Sequence, residues 1–262
     1  MIDNIQTFAD QKSLPLSEAL QIFLQVVVLK NLSWKSEKMI GGTALVLGHG
    51  NPRFSEDIDL TNVQNPMELK PYLEKAAREA GDWLQEMVKL KTPKPKGSTW
   101  KLSANLPGTT EQVRLHIDSQ RYPALSHHSL VIVFPGLKPF LIASVSLEEI
   151  MADKLIALAL RNYVSGRDLF DLWCHWFKDP FSSEKENEIR IYLQKKLKAR
   201  TLGTGVLEKI TSRLQGAIPS RAEEEWKRYL PPNFQQKTLY REMFLSVHNG
   251  IERFLHANDR VD

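Results

Sequence analysis

The spacing of apolar residues changes near position 146, and that change limits what the chain can fold into. From Leu147 onward apolar positions recur at helical intervals through residues 147–163, 167–178 and 186–200, with weaker helical segments to the end. Upstream the pattern is mixed. Helical runs at 16–32, where Pro15 suits a first turn, and at 67–87 are interspersed with strand-like runs at 37–40, 56–61, 99–106, 113–119 and 130–134. The pattern predicts an α+β fold: a mixed sheet with flanking helices over residues 1–146, followed by an all-helical domain over 147–262. A chain of 262 residues, 42% of them hydrophobic, has enough apolar material for a real core in both.

Within the mixed part, the segment Glu56-Asp57-Ile58-Asp59-Leu60 sets acids alternately with apolar residues. Side chains alternate faces along a strand, so Asp57 and Asp59 project together while Ile58 and Leu60 turn to the core. Two carboxylates roughly 5 Å apart repel by about 3 kcal/mol at an effective dielectric constant near 20. A divalent cation offsets this directly, and an oxygen-rich pair suits Mg²⁺ or Mn²⁺. Fifteen residues upstream, Gly41-Gly42-Thr43 stands where a short strand runs into a helix. Glycines there permit close backbone approach, the helix start offers unpaired N–H groups to phosphate, and Thr43 adds a hydroxyl. A phosphate cradle beside metal-binding carboxylates is the requirement of a metal–nucleotide site.

These two features together resemble the signature of the DNA polymerase β-like nucleotidyltransferases. "GGTAL", "RFSEDIDL", "ADKLIALALR" and "GRDLFDLW" are more specifically similar to the AbiEii/AbiGii toxin family of nucleotidyltransferases, over about residues 20–178. The resemblance implies a nucleotidyltransferase-type sheet and a two-metal site in which three carboxylates hold Mg²⁺ or Mn²⁺. In "QVRLHIDSQ", Arg114, His116 and Asp118 share one strand face, which makes Asp118 the candidate third carboxylate and Glu111 the fallback. The resemblance also places Arg53 and Ser55 near the nucleotide phosphates. It makes an NTP the substrate, a separate antitoxin the restraining partner, and tRNA or another RNA a plausible acceptor. A silent nucleotide- or nucleic-acid-binding module and a kinase-like γ-phosphate transfer are the competing readings.

In the helical part, Lys154 falls among Leu147, Ile150, Met151 and Leu158, where an ammonium must snorkel or meet an anion. The resemblance assigns it to the triphosphate. Ser165-Gly166-Arg167-Asp168 fits a capping box, which accounts for Asp168. Asp171 has no such explanation; the resemblance makes it a site residue that orients Lys154 or the nucleotide, and extends a weaker nucleotide role to Arg167. Lys154 and Asp171 are thereby expected to be the second domain's contribution to the cleft.

Formal charge is only +4, with 35 basic and 31 acidic residues, so a polyanionic partner is permitted rather than required. Two basic runs fit such a partner: Lys89, Lys91, Lys94, Lys96 and Lys101 with Trp100 beside the last, and Lys195, Lys196, Lys198 and Arg200. Cys174 is the only cysteine, which excludes an intrachain disulfide and a cysteine-based zinc site, and its aromatic surroundings suggest a packed thiol. No run near the amino terminus has the length of a signal core or a membrane span, so a cytoplasmic protein without a membrane partner is expected.

Overall fold

A computed structural model describes residues 1–33, 37–94, 97–106 and 108–256. The chain divides into two compact units, the first comprising Met1–Gly50 and Phe54–Val145, the second Asn51–Arg53 and Ser146–Asp262. The short 51–53 segment therefore belongs with the later half of the chain, which a single sequence boundary at 146 does not express.

The first unit runs α1 (Ile2–Lys12), α2 (Leu16–Leu32), β1 (Lys38–Ile40), α3 (Gly41–Gly48), β2 (Ile58–Thr61), α4 (Lys70–Leu84), β3 (Lys89–Lys91), β4 (Thr99–Asn105), β5 (Gln112–Ser119), β6 (His128–Ile132) and β7 (Phe140–Ser144). The strands form one mixed sheet in the order β3-β4-β5-β2-β1-β7-β6. β2 is parallel to β5 and antiparallel to β1, and β1 is parallel to β7. The pattern-based reading passes over α1 and β7; β7 is a five-residue strand in which only Ile142 and Ser144 are buried, too little periodicity to register.

α2 is apolar on nearly all sides and is correspondingly buried, packing on α1, α4, β5 and β7. Its Val26-Val27-Val28 run has poor intrinsic helix propensity, so burial rather than local preference holds the helix there. Two glutamines one turn apart on α2 point outward from this packing for a specific purpose. Gln25 Nε2 donates to the Ser55 carbonyl at 2.7 Å and Gln21 Nε2 to the Glu56 carbonyl at 2.6 Å. The Thr43 hydroxyl, from α3, donates to the next carbonyl, that of Asp57. Three successive carbonyls ahead of β2 are satisfied by side chains instead of a strand ladder, which fixes the backbone that carries Asp57.

The second unit is helical: α5 (Leu147–Leu160), α6 (Gly166–Leu172) continuing into a π-helical turn at Trp173–Phe177, α7 (Ser183–Ala199), α8 (Glu208–Arg213), α9 (Ser220–Tyr229) and α10 (Lys237–His256). Ser146 caps α5 by accepting from the Glu149 N–H at 3.2 Å. α6 lies against α9 at Gly166, where a Cβ would sit 2.3 Å from the Ala222 carbonyl oxygen, and Trp226 Nε1 donates to the Gly166 carbonyl at 2.6 Å. Only glycine permits that approach. α5 and α7 are joined by ion pairs: Lys196, 6% exposed, reaches Glu149 at 2.8 Å and Asp153 at 2.7 Å, and Arg200 meets Asp153 at 2.8 Å. Lys196 and Arg200 are thus spent inside the unit, a correction to their placement in a nucleic-acid-binding run. Lys195 and Lys198 remain exposed.

Among the described residues no single helix is long and apolar enough to cross a membrane; α1 and α2 together satisfy length and composition only as a pair bent by 116°.

Candidate active site

In the first unit the site is built across β2 and β5. Their parallel register sets Asp59 directly beside Asp118, so the two share a face, and Asp57 joins them one residue before β2. Ile58, Leu60, Leu115 and Ile117 fill the opposite face and are fully buried or nearly so. The alternation read from the sequence is therefore real, and Asp118, at the end of β5 that pairs with β2, is the third acid of the group. Glu111 lies in the turn before the other end of β5 and is exposed.

Each carboxylate has a protein partner. Asp59 Oδ2 packs on Gly41, where an added Cβ would lie 2.5 Å from it. Gly41 also has φ +73°, a left-handed conformation that glycine adopts without strain. The expected reason for Gly41 was access for a phosphate; the group that comes close here is Asp59. Asp118 Oδ1 accepts from the Thr99 hydroxyl, and His116 Nδ1 lies 3.2 Å from Asp57 Oδ1. Burial pushes the Asp57 carboxyl above its ordinary value; His116 opposes this, while Glu56 and Asp118 add to it through like charge.

Three carboxylates gathered on one face, one of them held up chiefly by burial, suit a hard divalent cation in donor chemistry and in register. As they stand, no three His, Cys, Asp or Glu side chains among the described residues converge as a ready ligand set, because each of the three acids is turned to a different neighbour. Asp57, Asp59 and Asp118 are the residues that could hold such an ion.

Two hydroxyls expected to face phosphate do not. Thr43 is fully buried, its Oγ1 engaged with the Asp57 carbonyl and, at 3.0 Å, with Ser55 Oγ. Ser55 is 6% exposed. Both hydroxyls tie α3 to the strand approach and are consumed there, so they act on the site through the backbone. Gly42 is buried in the first turn of α3, whose leading N–H groups are of the kind that receive anions. Trp100, grouped in the sequence with the basic run of Lys89 to Lys101, is fully buried with its Nε1 donating to the Pro66 carbonyl at 3.2 Å. Lys96 lies outside the described residues.

The second unit holds a separate cluster of buried charge. Asp171 is fully buried and takes four donors: Asn51 Nδ2 at 2.8 Å and Arg53 Nε at 2.6 Å on Oδ1, and Arg53 Nη2 at 2.9 Å and Lys154 Nζ at 2.7 Å on Oδ2. Arg53 grips it with two parallel N–H bonds from one edge of the guanidinium, the bidentate geometry that makes such pairs strong. Burial alone would raise the Asp171 pKa, but Arg53 and then Lys154 carry it well below the usual carboxylate range. Lys154 answers in kind: burial works against its charge, yet Asp168 and Asp171 hold its pKa above the ordinary value. Lys154 therefore meets anions from its own unit and does not snorkel.

Asp168 corrects the capping explanation. Its N–H does reach Ser165 Oγ, at 3.5 Å, but its carboxylate is turned to Lys154 Nζ at 2.8 Å and lies 2.7 Å from Arg161 Nη1. The Arg161 contact is close enough for an ion pair though outside hydrogen-bond geometry. Asp168 and Asp171 are both buried, Asp168 at 1% exposed. Arg167, on the other hand, leaves the cluster for α9, lying 4.0 Å from Glu225 and 4.7 Å from the Tyr229 ring centre. Cys174 is half-buried and burial pushes its thiol up to about 11, consistent with a packed, protonated side chain.

Sequence reasoning missed Asn51, His116, Arg161 and the carboxylate role of Asp168. Signals existed for two of them. Asn51-Pro52-Arg53 is an Asx-turn sequence, and the Asn51 side chain does accept from the Arg53 N–H at 3.1 Å. Lys154 and Arg161 stand two helical turns apart, matching the spaced acids Asp168 and Asp171.

A sequence family described as "Nucleotidyl transferase AbiEii toxin, Type IV TA system" matches residues 39–254. No curated protein matches the chain. Among solved structures, MenT4, a nucleotidyltransferase toxin from Mycobacterium tuberculosis H37Rv, superposes with a TM-score of 0.59 at 16% identity, over 93% of this chain and 91% of that one. JHP933 from Helicobacter pylori gives 0.51 at 19% identity, over 91% and 95%. At such identities the solved structures establish a shared fold. The family match spans both units and contains every acid and lysine described above, and on that ground the chain belongs to the AbiEii family of nucleotidyltransferase toxins.

Proposed function

We propose that this nucleotidyltransferase moves a nucleoside monophosphate from an NTP to an acceptor hydroxyl with Mg²⁺ or Mn²⁺ held by Asp57, Asp59 and Asp118. The observation that carries the reading is the register of β2 on β5, which sets Asp59 beside Asp118 and leaves Asp57 on the same face. Bound at these oxygens, the cation would stabilise charge on the entering hydroxyl and on the departing pyrophosphate.

The chain's own residues divide the remaining work. The N–H groups opening α3 receive phosphate oxygens, and Gly41 keeps the backbone close to Asp59. Lys154 serves the phosphates of the nucleotide: two of its three N–H bonds go to Asp168 and Asp171, and no further partner is found for it among the described residues. Asp168, Asp171 and Arg53 act as positioning residues that keep Lys154 charged and oriented. Asp57 must be ionised to serve, so its raised pKa predicts that activity falls away on the acid side earlier than an ordinary carboxylate would dictate. A cognate antitoxin restrains the enzyme, as the type IV toxin–antitoxin description of the family suggests, and RNA is the acceptor class.

The test is incubation with total RNA, Mg²⁺ and each NTP in turn, labelled at the α-phosphate in one series and at the γ-phosphate in another. α-Label should enter the acceptor with the wild type and not with Asp57→Asn or Asp59→Asn, provided both variants retain their circular dichroism and thermal transition. Equal α-label incorporation by wild type and variants, or incorporation of γ-label alone, would remove the reading.

A further inference from the structure

In the second unit a cavity of 480 Å³ is walled by Tyr163 and Arg167 on one side and by Arg221, Glu224, Arg228 and Tyr229 of α9 on the other. That volume lies within the range of small-molecule sites, about 300–1,000 Å³, and exceeds what a bare ion needs. None of Arg53, Lys154, Asp168 and Asp171 lines it.

The guanidiniums here are held by rings. Arg221 lies 3.4 Å from the centre of the Tyr163 ring, and Arg167 and Arg228 lie 4.7 Å and 5.0 Å from that of Tyr229. A guanidinium over an aromatic face is fixed in orientation while its N–H fork still donates at its edges, which a lysine in the same place could not match. Tyr229 is itself only 7% exposed, so its ring is a fixed support. The cavity therefore presents several forks in a set arrangement, and little ordering is left for a ligand to impose.

Glu225, which completes the wall, is mostly engaged elsewhere. Its Oε2 accepts from the Ser165 hydroxyl at 2.8 Å and from the Arg167 N–H at 3.2 Å. It stands 4.0 Å from Arg167 Nε and 3.9 Å from Arg221 Nε, separations that allow ionic attraction but are too long for hydrogen bonds. Positive charge is thus in excess along the wall, and an anion complements it.

We propose that this cavity binds a small phosphomonoester carried on a polyhydroxylated body, a sugar phosphate in class, with its phosphate on Arg167, Arg221 and Arg228 and a hydroxyl on Glu224. A phosphomonoester brings about −1.5 to −2 of charge and three strong acceptor oxygens, which matches forked donors converging from three arginines. A phosphodiester offers less charge and fewer free oxygens, and a strand continuing past it would meet Glu224 and Glu225. An ionised carboxylate can only accept, so the exposed Glu224 calls for an O–H donor, and a sugar supplies one. The proposal is independent of the metal-carboxylate reading above.

The experiment is calorimetric titration of the full chain, without metal or NTP, using glucose 6-phosphate, ribose 5-phosphate, inorganic phosphate and glucose. Wild type is compared with Arg221→Gln/Arg228→Gln and with a charge-matched control, Lys195→Gln/Lys198→Gln, on exposed positions of α7 in the same unit. All variants are first checked by circular dichroism. The cavity variant should lose affinity for both sugar phosphates by at least about tenfold, with the control unchanged and glucose inert throughout. Arg221→Lys/Arg228→Lys keeps the charge but not the fork and should also lose most of the affinity. Glu224→Gln should weaken the sugar phosphates and leave inorganic phosphate unaffected. No binding of either sugar phosphate to the wild type would overturn the proposal, as would equal affinity in the cavity variant and the control. Displacement of glucose 6-phosphate by a single-stranded RNA lacking terminal phosphates would overturn it too, because the cavity would then take phosphodiesters.

Discussion

Gly41→Ala should damage the enzyme more than an equivalent substitution nine residues away, and the reason can be isolated. Gly41 and Gly50 have nearly the same backbone conformation, φ +73° and +69°, but a Cβ at Gly41 meets Asp59 Oδ2 at 2.5 Å whereas one at Gly50 meets nothing within 4 Å. Placing alanine in the left-handed region costs about 1–2 kcal/mol, partly offset by about 0.4–1 kcal/mol from a stiffer unfolded chain. Gly50→Ala should therefore cost about 1 kcal/mol and lower Tm by about 2–4 °C. Gly41→Ala carries the same cost plus about 0.5–1.5 kcal/mol for driving the Asp59 side chain off its rotamer, giving a fall of about 3–10 °C. Thermal unfolding measures the stability, and α-label transfer measures the site. Gly41→Ala should lose most transfer and Gly50→Ala little. In an Asp59→Ala background the oxygen that clashes is gone, so the extra stability cost of Gly41→Ala should disappear. Equal costs for the two alanines, or an extra cost that survives removal of the Asp59 carboxylate, would refute the argument that Gly41 exists to admit Asp59.

Two further outcomes follow from the second unit. Because Asp171 has its pKa depressed on folding, it contributes stability that is fully present above its ordinary value of 3.8 and is lost as pH falls below it; in denaturant titrations Asp171→Asn should lower stability at pH 7 by about 3–5 kcal/mol and flatten the acid limb by up to one proton, about 1.4 kcal/mol per pH unit, and an unchanged limb would mean that Asp171 is not the ionised group. Cys174, with its thiol pushed up to about 11, should be only about 0.1% thiolate at pH 8 and react with a disulfide reagent far more slowly in the native protein than in denaturant, and comparable rates would show it to be accessible and ionised.

Much of the first unit was legible because its signals are local. Asp57, Asp59 and Asp118 could be put on one face by counting residues along two strands, since alternation depends only on the backbone of the strand itself. The run of lysines was equally plain as composition, and β3 and β4 carry Lys89, Lys91 and Lys101 of it. α1 and β7 escaped because a short segment with few buried positions has almost no period to detect.

The sequence by itself determined which residue types alternate, where helices replace strands, and that acids and glycines recur in the spacing shared by one toxin family. Only the tertiary structure decided what each polar group is used for. Thr43 proved to be bonded to Ser55 and to backbone, Lys196 to Glu149 and Asp153, Arg200 to Asp153, and Asp168 to Lys154, each through partners between 12 and 47 residues away. The physical reason is that a side chain's face is set by its nearest neighbours in the chain, whereas the partner that satisfies its charge or hydrogen bond is brought there by packing of segments remote in sequence, about which local periodicity carries no information.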